Sequence, residues 1–367
     1  MRVVSPFLKK ILYPALSQAG VFRRTARSGL AVVTYHGLLP EGYEPVDPGF
    51  DGNLVTAEML CRQLRLLKAH YNLIAPEDVL AWREGRSMLP PRAVLLTCDD
   101  GLLNCLTDML PVLQQEGLRC LFFVTGASAT QTRTMLWYEE LFLLFFRTPA
   151  GHFGISCSGV EIQGECRSRP ERHALWWSAV QRLSQIDRQT RESFLSAARR
   201  HLGIDVRPDF EARNSPACRR FGLLTADELR KLGEAGMTIG AHTLSHPLLS
   251  QVPIEIAKAE ISEGKSALES VLQMPIWALA YPFGDPHSVN SEVLAMAEAA
   301  GFQAAFLNYG GGLGSDLPPF ALPRIHVTAD MSPAELEAHV SGFYQRLQKR
   351  VGRDSAAAFH TSASRPS

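Results

Sequence analysis

The chain has 367 residues, of which 46% are hydrophobic and 20% are charged, as in an ordinary globular protein with a sizeable core. Its 37 basic and 37 acidic residues cancel, so the charge balance gives no electrostatic footprint for nucleic acid as a partner. No stretch approaches the ~20 apolar residues needed to cross a bilayer. The length fits one large α/β barrel-like domain or two smaller domains.

Residues 1–29 precede the first predicted strand. Lys9 and Lys10 lie in the middle of a start that lacks the long apolar region of a signal peptide. The segment predicts a short amphipathic helix broken at Pro14. We expect this helix to pack on the protein, with peripheral contact to a membrane through residues 8–16 as the alternative.

Seven cysteines are scattered along the chain without a CxxC pair: Cys61, Cys98, Cys105, Cys120, Cys157, Cys166 and Cys218. An odd, unpatterned set is typical of reduced thiols that pack as small apolar side chains. Together with the poor signal peptide, it predicts a cytoplasmic protein, peripheral to the inner membrane if the N-terminal helix touches lipid.

Seven short apolar runs predict strands buried on both faces, because they are continuous rather than alternating. In chain order they are residues 30–35, 93–97, 118–124, 237–241, 276–281, 304–307 and 324–327. Helical patterns separate them, with a capping box at Thr225 to Glu228 and an N-cap at Ser332 before Pro333. Strands that alternate with helices form parallel βα units, and about seven units predict an α/β barrel.

One segment interrupts this alternation. Residues 128–221 carry aromatic-rich helical patterns that contain Trp137, Tyr138, Trp176 and Trp177. They predict a helical insertion between two barrel strands, where substrate loops tend to grow. Its aromatic residues form either an accessory hydrophobic core or a platform on which sugars stack. The Ala- and Ser-rich residues 351–367 predict a disordered tail.

Two adjacent carboxylates, Asp99 and Asp100, close the second predicted strand and precede Gly101. On a regular strand they would point to opposite faces, but a glycine lets the backbone turn so that both reach one cleft. Like charges so close require separate roles: a metal ion can neutralise one while the other moves a proton. A solvated turn is the alternative interpretation.

His242 and His246 follow another apolar strand and are four residues apart. Two imidazoles at this spacing can converge on one ion from a helix or a tight loop, and Pro247 favours the loop or a helix entry. Two histidines and Asp100 leave a coordination position open, as a catalytic ion requires. Asp99 would then accept the proton of an attacking water, and a separate acid would protonate the departing amine.

The segments TCDDG at 97–101, HTLSHP at 242–247 and YPFG at 281–284 resemble the first three motifs of the polysaccharide deacetylase family, also called the NodB-homology or carbohydrate esterase 4 family. The resemblance covers roughly residues 31–125 and 221–341 and implies a deformed (β/α)7 barrel. It implies a general base at Asp99, zinc or a similar divalent ion (cobalt, nickel or manganese) on Asp100, His242 and His246, and a substrate groove lined by Tyr281, Pro282 and Phe283.

The sequence departs from the family pattern at three places. Cys98 replaces the usual Phe and should point away from the site. The arginine that many members place before the third motif's proline is absent, because residues 276–281 are uncharged. The late motif that supplies the acid is not evident. His36, which ends the first strand as in members with a permuted motif order, is the predicted acid, and His326 is the alternative.

The resemblance implies a metal-dependent hydrolase that removes N-acetyl or other N-acyl groups from amino sugars of a surface polysaccharide or lipid-linked oligosaccharide. An O-deacetylase or deformylase with the same geometry is one alternative. The other is a glycan-binding protein that kept the barrel but lost the chemistry.

Overall fold

The computed structural model describes residues 7–26, 29–204, 215–285, 287–311 and 317–350, so the predicted tail at 351–367 lies outside the described residues. The strands are β1 (Leu30–Tyr35), β2 (Asn72–Ile74), β3 (Ala93–Cys98), β4 (Leu121–Val124), β5 (His152–Cys157), β6 (Val160–Glu165), β7 (Thr238–Ala241), β8 (Ala278–Ala280), β9 (Ala304–Gly310) and β10 (Leu322–His326).

The α-helices are α1 (Tyr13–Gln18), α2 (Val21–Thr25), α3 (Ala57–His70), α4 (Pro76–Arg83), α5 (Leu110–Glu116), α6 (Trp137–Arg147), α7 (Arg169–Ser184), α8 (Arg188–Leu202), α9 (Pro216–Phe221), α10 (Ala226–Glu234), α11 (Ile254–Leu272), α12 (Ser291–Ala299), α13 (Pro333–Val340) and α14 (Phe343–Arg350). Residues Leu8–Leu12 and Cys105–Met109 are π-helical, and three short 3₁₀ turns lie at Asp51–Asn53, Gly126–Ser128 and Leu249–Gln251.

Seven parallel strands close into a barrel in the order β1, β10, β9, β8, β7, β4 and β3, and β3 pairs back to β1. The other edge of β3 is shared, because β2 pairs with its first half and β4 with its last two residues. All seven predicted strands are present, so the barrel prediction is confirmed. The sequence pattern did not reveal β2, since a three-residue run is too short to carry a periodic signal.

Side chains alternate between the barrel interior and the layer under the helices, because successive strand residues point to opposite faces. In β1, Leu30 and Val32 belong to the interior cluster, whereas Ala31 and Val33 belong to the larger cluster under the helices. The same alternation holds along β3, β4, β8 and β9. Whether the side chain at a strand end points to the barrel interior or toward the helices therefore follows from its position in this alternation.

The insertion between β4 and β7 has its own hydrophobic core, so the accessory-core interpretation of its aromatic residues holds for Trp137. The predicted helical insertion contains α6 to α9, and β5 and β6 add an antiparallel hairpin beside these helices that the sequence analysis did not predict. Ser158 and Gly159 join these strands with positive φ angles of 51° and 76°, as in a tight two-residue hairpin turn. The sequence signals that were missed are the apolar residues at every second position of both strands and the Ser-Gly turn between them.

The N-terminal helices lie on α13. Tyr13 and Phe22 are fully buried and share a cluster with Ala334 and Ala338. The helix is not broken at Pro14 as predicted, because right-handed helical dihedral angles continue from Phe7 through Tyr13 into α1, and the turn before the proline is π-helical. Among the residues described, no helix has the length and apolar character of a membrane span.

A substitution at Gly240 in β7 can test how tightly the barrel interior is packed. A Cβ there would lie 2.6 Å from Cδ1 of Phe123 and 3.1 Å from the carbonyl oxygen of Ala278. We expect Gly240→Ala to lower the free energy of unfolding by about 1–3 kcal/mol through overpacking, measured by urea denaturation. Gly233→Ala in α10 is the control, since its Cβ would meet nothing closer than 3.9 Å and alanine favours a helix. Equal stability of Gly240→Ala and wild type would contradict this packing.

Candidate active site

The carboxyl ends of the barrel strands open into one cleft of about 430 Å³. The barrel contributes His36, Asp99, Asp100, His242, His246, Phe283, Asp285, Asn308 and His326 to its lining, and the insertion contributes Tyr138, Glu139, His173, Trp176, Trp177 and Arg220. Site residues of a parallel barrel gather at this end of the strands. The structure thus brings both predicted catalytic residues and all three predicted metal ligands to one place.

The two carboxylates after β3 reach the cleft by the turn that the sequence predicted. Asp99 continues the interior alternation of β3, whereas Cys98 faces the core under the helices. Asp100 would point away, but φ angles of 76° at Asp100 and 74° at Gly101 turn the backbone. Glycine is required at 101 because a Cβ would lie 2.6 Å from Cγ1 of Val124.

Asp100, His242 and His246 offer ligand atoms that lie within 4.8 Å of one another. Nε2 of His242 is 3.6 Å and Nε2 of His246 is 3.5 Å from Oδ1 of Asp100. Two ligand atoms about 2.1 Å from a tetrahedral ion are about 3.4 Å apart, which is close to the distance from Asp100 to each histidine. The three residues are also buried, which keeps water from competing for them.

The charges of these residues suit a cation. Burial raises the pKa of Asp100, but hydrogen bonds from His242 and His246 outweigh it and hold that pKa well below its usual value. Burial lowers the pKa of His246, whereas for His242 the two neighbouring carboxylates overcome burial and raise the pKa. A cation competes with protons for these imidazole nitrogens, so its affinity should fall toward acid pH.

The two histidines lie on a tight loop rather than a helix. Thr243 and His246 have positive φ angles of 61° and 62°. Nδ1 of His242 lies 2.7 Å from the carbonyl oxygen of Ala280, to which it can donate. This hydrogen bond leaves Nε2 of His242 facing Asp100, as in metal sites where a second partner orients the imidazole.

The middle of this loop is held from two sides. The backbone N–H and the hydroxyl of Ser245 donate to the carboxylate of Glu260 in α11, over 2.7 and 2.5 Å. Arg191 of α8 donates to the Ser245 hydroxyl over 2.5 Å, and its guanidinium lies 4.8 Å from the ring of Trp137. The insertion therefore helps to hold the loop that carries His242 and His246.

Arg324 orients Asp99, a role for which the sequence offered no residue. Its Nη1 and Nη2 donate to Oδ1 and Oδ2 of Asp99 over 2.6 and 2.5 Å, and its Nε donates to the carbonyl oxygen of Leu307. Burial raises the pKa of Asp99, but the Arg324 charge outweighs it and the pKa lies below its usual value. The available signal was a lone arginine within an apolar strand, since a buried charge requires a partner.

Both candidate acids lie in the cleft. The rings of His36 and His326 stack with centroids 4.7 Å apart. Within the described residues, Nδ1 of His36 and Nε2 of His326 have no hydrogen-bond partner. Burial, with the neighbouring His36, lowers the pKa of His326 to about 3, so His326 is neutral at ordinary pH.

The third motif contributes one residue to the cleft instead of three. Tyr281 follows the outward alternation of β8, is fully buried in the core and donates to the carbonyl oxygen of Phe320 over 3.0 Å. Pro282 is also buried and does not line the cleft. Phe283, with a positive φ of 61°, lines it and lies 4.8 Å from the ring of His246. The predicted groove therefore needs correction at Tyr281 and Pro282.

The insertion forms one wall of the cleft. Trp176 and Trp177 line it, so some aromatic residues of the insertion lie at the site rather than in the accessory core. Glu139 is buried beside Arg220, whose Nη1 donates to its Oε1 over 2.7 Å and whose Nε donates to Asp51 over 2.8 Å. Burial outweighs that arginine and raises the pKa of Glu139 to about 7.

Comparison with known proteins relates the chain to one family. A family model described as polysaccharide deacetylase matches residues 197–305, a segment that contains His242 and His246. YxkH of Bacillus subtilis (strain 168), assigned as a polysaccharide deacetylase, is 25% identical over 117 residues, or 32% of this chain. The matched region spans 41% of that relative's length.

Solved structures share the fold at low identity. The Streptococcus pyogenes deacetylase PplD, solved with acetate, superposes with a TM-score of 0.54 at 15% identity, over 85% of this chain and 98% of its own. IcaB from Ammonifex degensii gives 0.52 at 17% identity, over 86% and 98%. A de-N-acetylase from Aggregatibacter actinomycetemcomitans gives 0.51 at 15%, over 84% and 99%. The predicted NodB-like barrel and the resemblance to the polysaccharide deacetylase family are confirmed.

The pairing of Arg324 with Asp99 predicts how stability varies with pH. The lowered pKa of Asp99 contributes stability that is present above its unfolded value and is lost as pH falls. In Arg324→Gln the arginine would no longer oppose burial, so the pKa of the carboxylate would rise and its ionised form would destabilise the fold. We expect a loss of about 3–5 kcal/mol at neutral pH that shrinks toward about pH 4, measured by urea unfolding.

Arg324→Lys is the matched variant for this experiment. It keeps the positive charge but loses the two-pronged hydrogen bonding, so it should recover only part of the stability. A deficit in Arg324→Gln that stays constant between neutral and acid pH would show that the charge of Asp99 is not what Arg324 stabilises.

Proposed function

Because the chain is related to the polysaccharide deacetylase family, we propose that it is a divalent-metal hydrolase that removes an N-acetyl or other N-acyl group from an amino sugar of a polysaccharide or lipid-linked glycan. The observation that supports this most is the convergence of Asp100, His242 and His246 beside an ionised Asp99 that Arg324 orients. A barrel that only binds glycans would not need this arrangement.

Asp100, His242 and His246 would hold the ion. Two imidazole nitrogens and one carboxylate oxygen suit zinc, and the same donors accept cobalt, nickel or manganese. Such an ion supplies a Lewis acid for the acyl carbonyl and lowers the pKa of a water bound to it. The hydrogen bond from Nδ1 of His242 to the carbonyl oxygen of Ala280 orients the ring so that Nε2 faces Asp100 and can bind the ion.

Asp99 acts as the general base. Its carboxylate lies in the cleft next to the ligands and remains ionised because Arg324 opposes the effect of burial. The two hydrogen bonds from Arg324 hold both oxygens in place, so the carboxylate keeps one orientation while it accepts a proton. Proton transfer by a positioned group of this kind contributes about 10²–10⁴-fold in rate.

His36 acts as the general acid that protonates the departing amine. It lines the cleft at the end of β1, and its Nδ1 has no partner within the described part of the chain. His326 is held neutral by burial and stacks on His36, which fits a residue that positions the acid rather than one that carries the proton.

The metal assignment predicts the behaviour of two variants. Asp100→Ala and His246→Ala each remove one of three ligands, so both should lose stoichiometric metal binding and at least about 10²-fold in activity. Metal content by mass spectrometry and acetate release from N-acetylated oligosaccharides measure the two effects. Chelation should inactivate the wild type, and added divalent metal should restore it. Substantial activity in either variant would refute the ligand assignment.

The acid assignment predicts a dependence on the leaving group. A sugar amine must be protonated to depart, whereas the phenolate of p-nitrophenyl acetate leaves without a proton. His36→Gln should therefore lose about 10²–10⁴-fold in kcat on an N-acetylated glycan, and much less on the ester. His326→Gln is the matched control with a smaller loss on the glycan. The reverse order of the two variants would make His326 the acid.

Product analysis separates the related activities. Acetate released together with a new sugar amine identifies an N-deacetylase, acetate without an amine identifies an O-deacetylase, and formate identifies a deformylase. Glycan binding without any released acid would identify a binding protein and overturn the hydrolase proposal.

A further inference from the structure

We propose that the insertion completes a sugar subsite of the same cleft, in which Trp177 stacks on a neutral pyranose ring and Glu139 accepts hydrogen bonds from its hydroxyl groups. This inference rests on the proposed function and adds the feature that the insertion recognises: a sugar ring beside the one that carries the acyl group.

The position of Trp177 points to a ligand. Trp177 lies on the wall of a polar cleft and is 37% exposed, whereas a large aromatic ring is normally buried. Its ring lies 5.8 Å from Phe283 at 79°, and Phe283 lies 4.8 Å from His246. Three rings therefore lead from the rim of the cleft to the predicted metal ligands.

The neighbours of Trp177 hold this surface in place before a ligand arrives. Trp176 lies 5.9 Å from it at 50°, and its indole N–H donates to the carbonyl oxygen of Tyr138 over 2.8 Å. The face of an aromatic ring carries partial negative charge and attracts the weakly positive C–H groups on one face of a pyranose. A preorganised surface binds with less loss of side-chain entropy.

Glu139 supplies the polar half of the subsite. It lines the cleft but is only 5% exposed, and its Oε1 accepts from Arg220. Its Oε2 has no hydrogen-bond partner among the described residues, which is unfavourable for a buried carboxylate oxygen. A sugar hydroxyl at the cleft would provide the missing donor.

The charges of the lining favour a neutral sugar over an anionic one. Carboxylates at Asp99, Asp100, Glu139 and Asp285 line the cleft. Among the lining residues that the structure describes, Arg220 is the single arginine and there is no lysine. Arg220 already pairs with both Asp51 and Glu139, so a uronate or phosphate group would find no uncommitted guanidinium or ammonium there.

The test compares two kinds of substrate on the metal-loaded enzyme. One is the best of a panel of N-acetylated glucosamine, galactosamine and mannosamine tetramers, and the other is p-nitrophenyl acetate, which is too small to span the ring series. We expect Trp177→Ala to raise KM for the tetramer about tenfold with little change in kcat. The ratio of kcat/KM for the tetramer to kcat/KM for the ester should fall by a similar factor.

Matched variants separate binding from damage to the fold. Trp177→Phe keeps an aromatic face and should recover most of the ratio. Glu139→Gln should lower it at least about threefold, because an amide NH2 replaces the oxygen that would accept from the sugar. Glu140→Gln is the control: Glu140 is the next residue of α6 and is also buried and paired with an arginine, Arg199, but it lies outside the cleft lining. Its ratio should equal that of wild type, with melting curves recorded for all variants.

Two results would overturn the subsite: wild-type ratios in both Trp177→Ala and Glu139→Gln, or a wild type that hydrolyses the ester but none of the tetramers. A wild type that hydrolyses neither substrate when loaded with metal would instead refute the proposed function, and the subsite would fall with it.

Discussion

The buried ion pair between Arg324 and Asp99 is the interaction on which the arrangement of the cleft depends. It joins the middle of β10 to the end of β3 inside the barrel, where both side chains are nearly inaccessible to solvent. Beneath it the hydroxyls of Thr34 and Thr97 lie 2.5 Å apart, and Thr97 also accepts from Arg324. A buried charge is tolerated only when it is paired and hydrogen-bonded, so the position of each partner constrains the other. The backbone turn that directs Asp100 toward the two histidines begins at Asp99, whose carboxylate Arg324 holds in place.

Around that pair, the cleft is shared between two separately packed bodies of side chains. The barrel provides the strand ends, and the insertion provides one wall together with the arginine that holds the Ser245 hydroxyl. Polar contacts join the two, among them the buried pairing of Arg220 from α9 with Asp51. The predicted ligands His242 and His246 lie on a loop after β7 and not in the insertion. The residues of the insertion that face the cleft can therefore change without altering the barrel. This division lets one set of reactive groups serve substrates that differ away from the reacting bond.

Local patterns sufficed to identify the strands and most of the predicted site. Continuous apolar runs marked the seven barrel strands, and the polar residues that follow three of them are Asp99, Asp100, His36, His242 and His246, all of which reach the cleft. The alternation of strand side chains also contained the correction for Tyr281, since that residue shares the outward side of β8 with Leu279. The hairpin was not predicted because its two strands have only six residues each, so their period-two pattern is short beside the helical patterns of the insertion.

Local periodicity and spacing are properties of neighbouring residues, so the seven strands, the turn at Gly101 and the pair of histidines four residues apart could be read from the chain. The partner of Asp99 could not, because Arg324 lies 225 positions away and the two meet only when β10 and β3 flank β1 in the closed barrel. The same holds for the stacking of His36 on His326 and for the placement of Trp177 and Glu139 against the cleft. Those contacts depend on how the barrel closes and how the insertion folds back on it, which spacing along the chain does not encode.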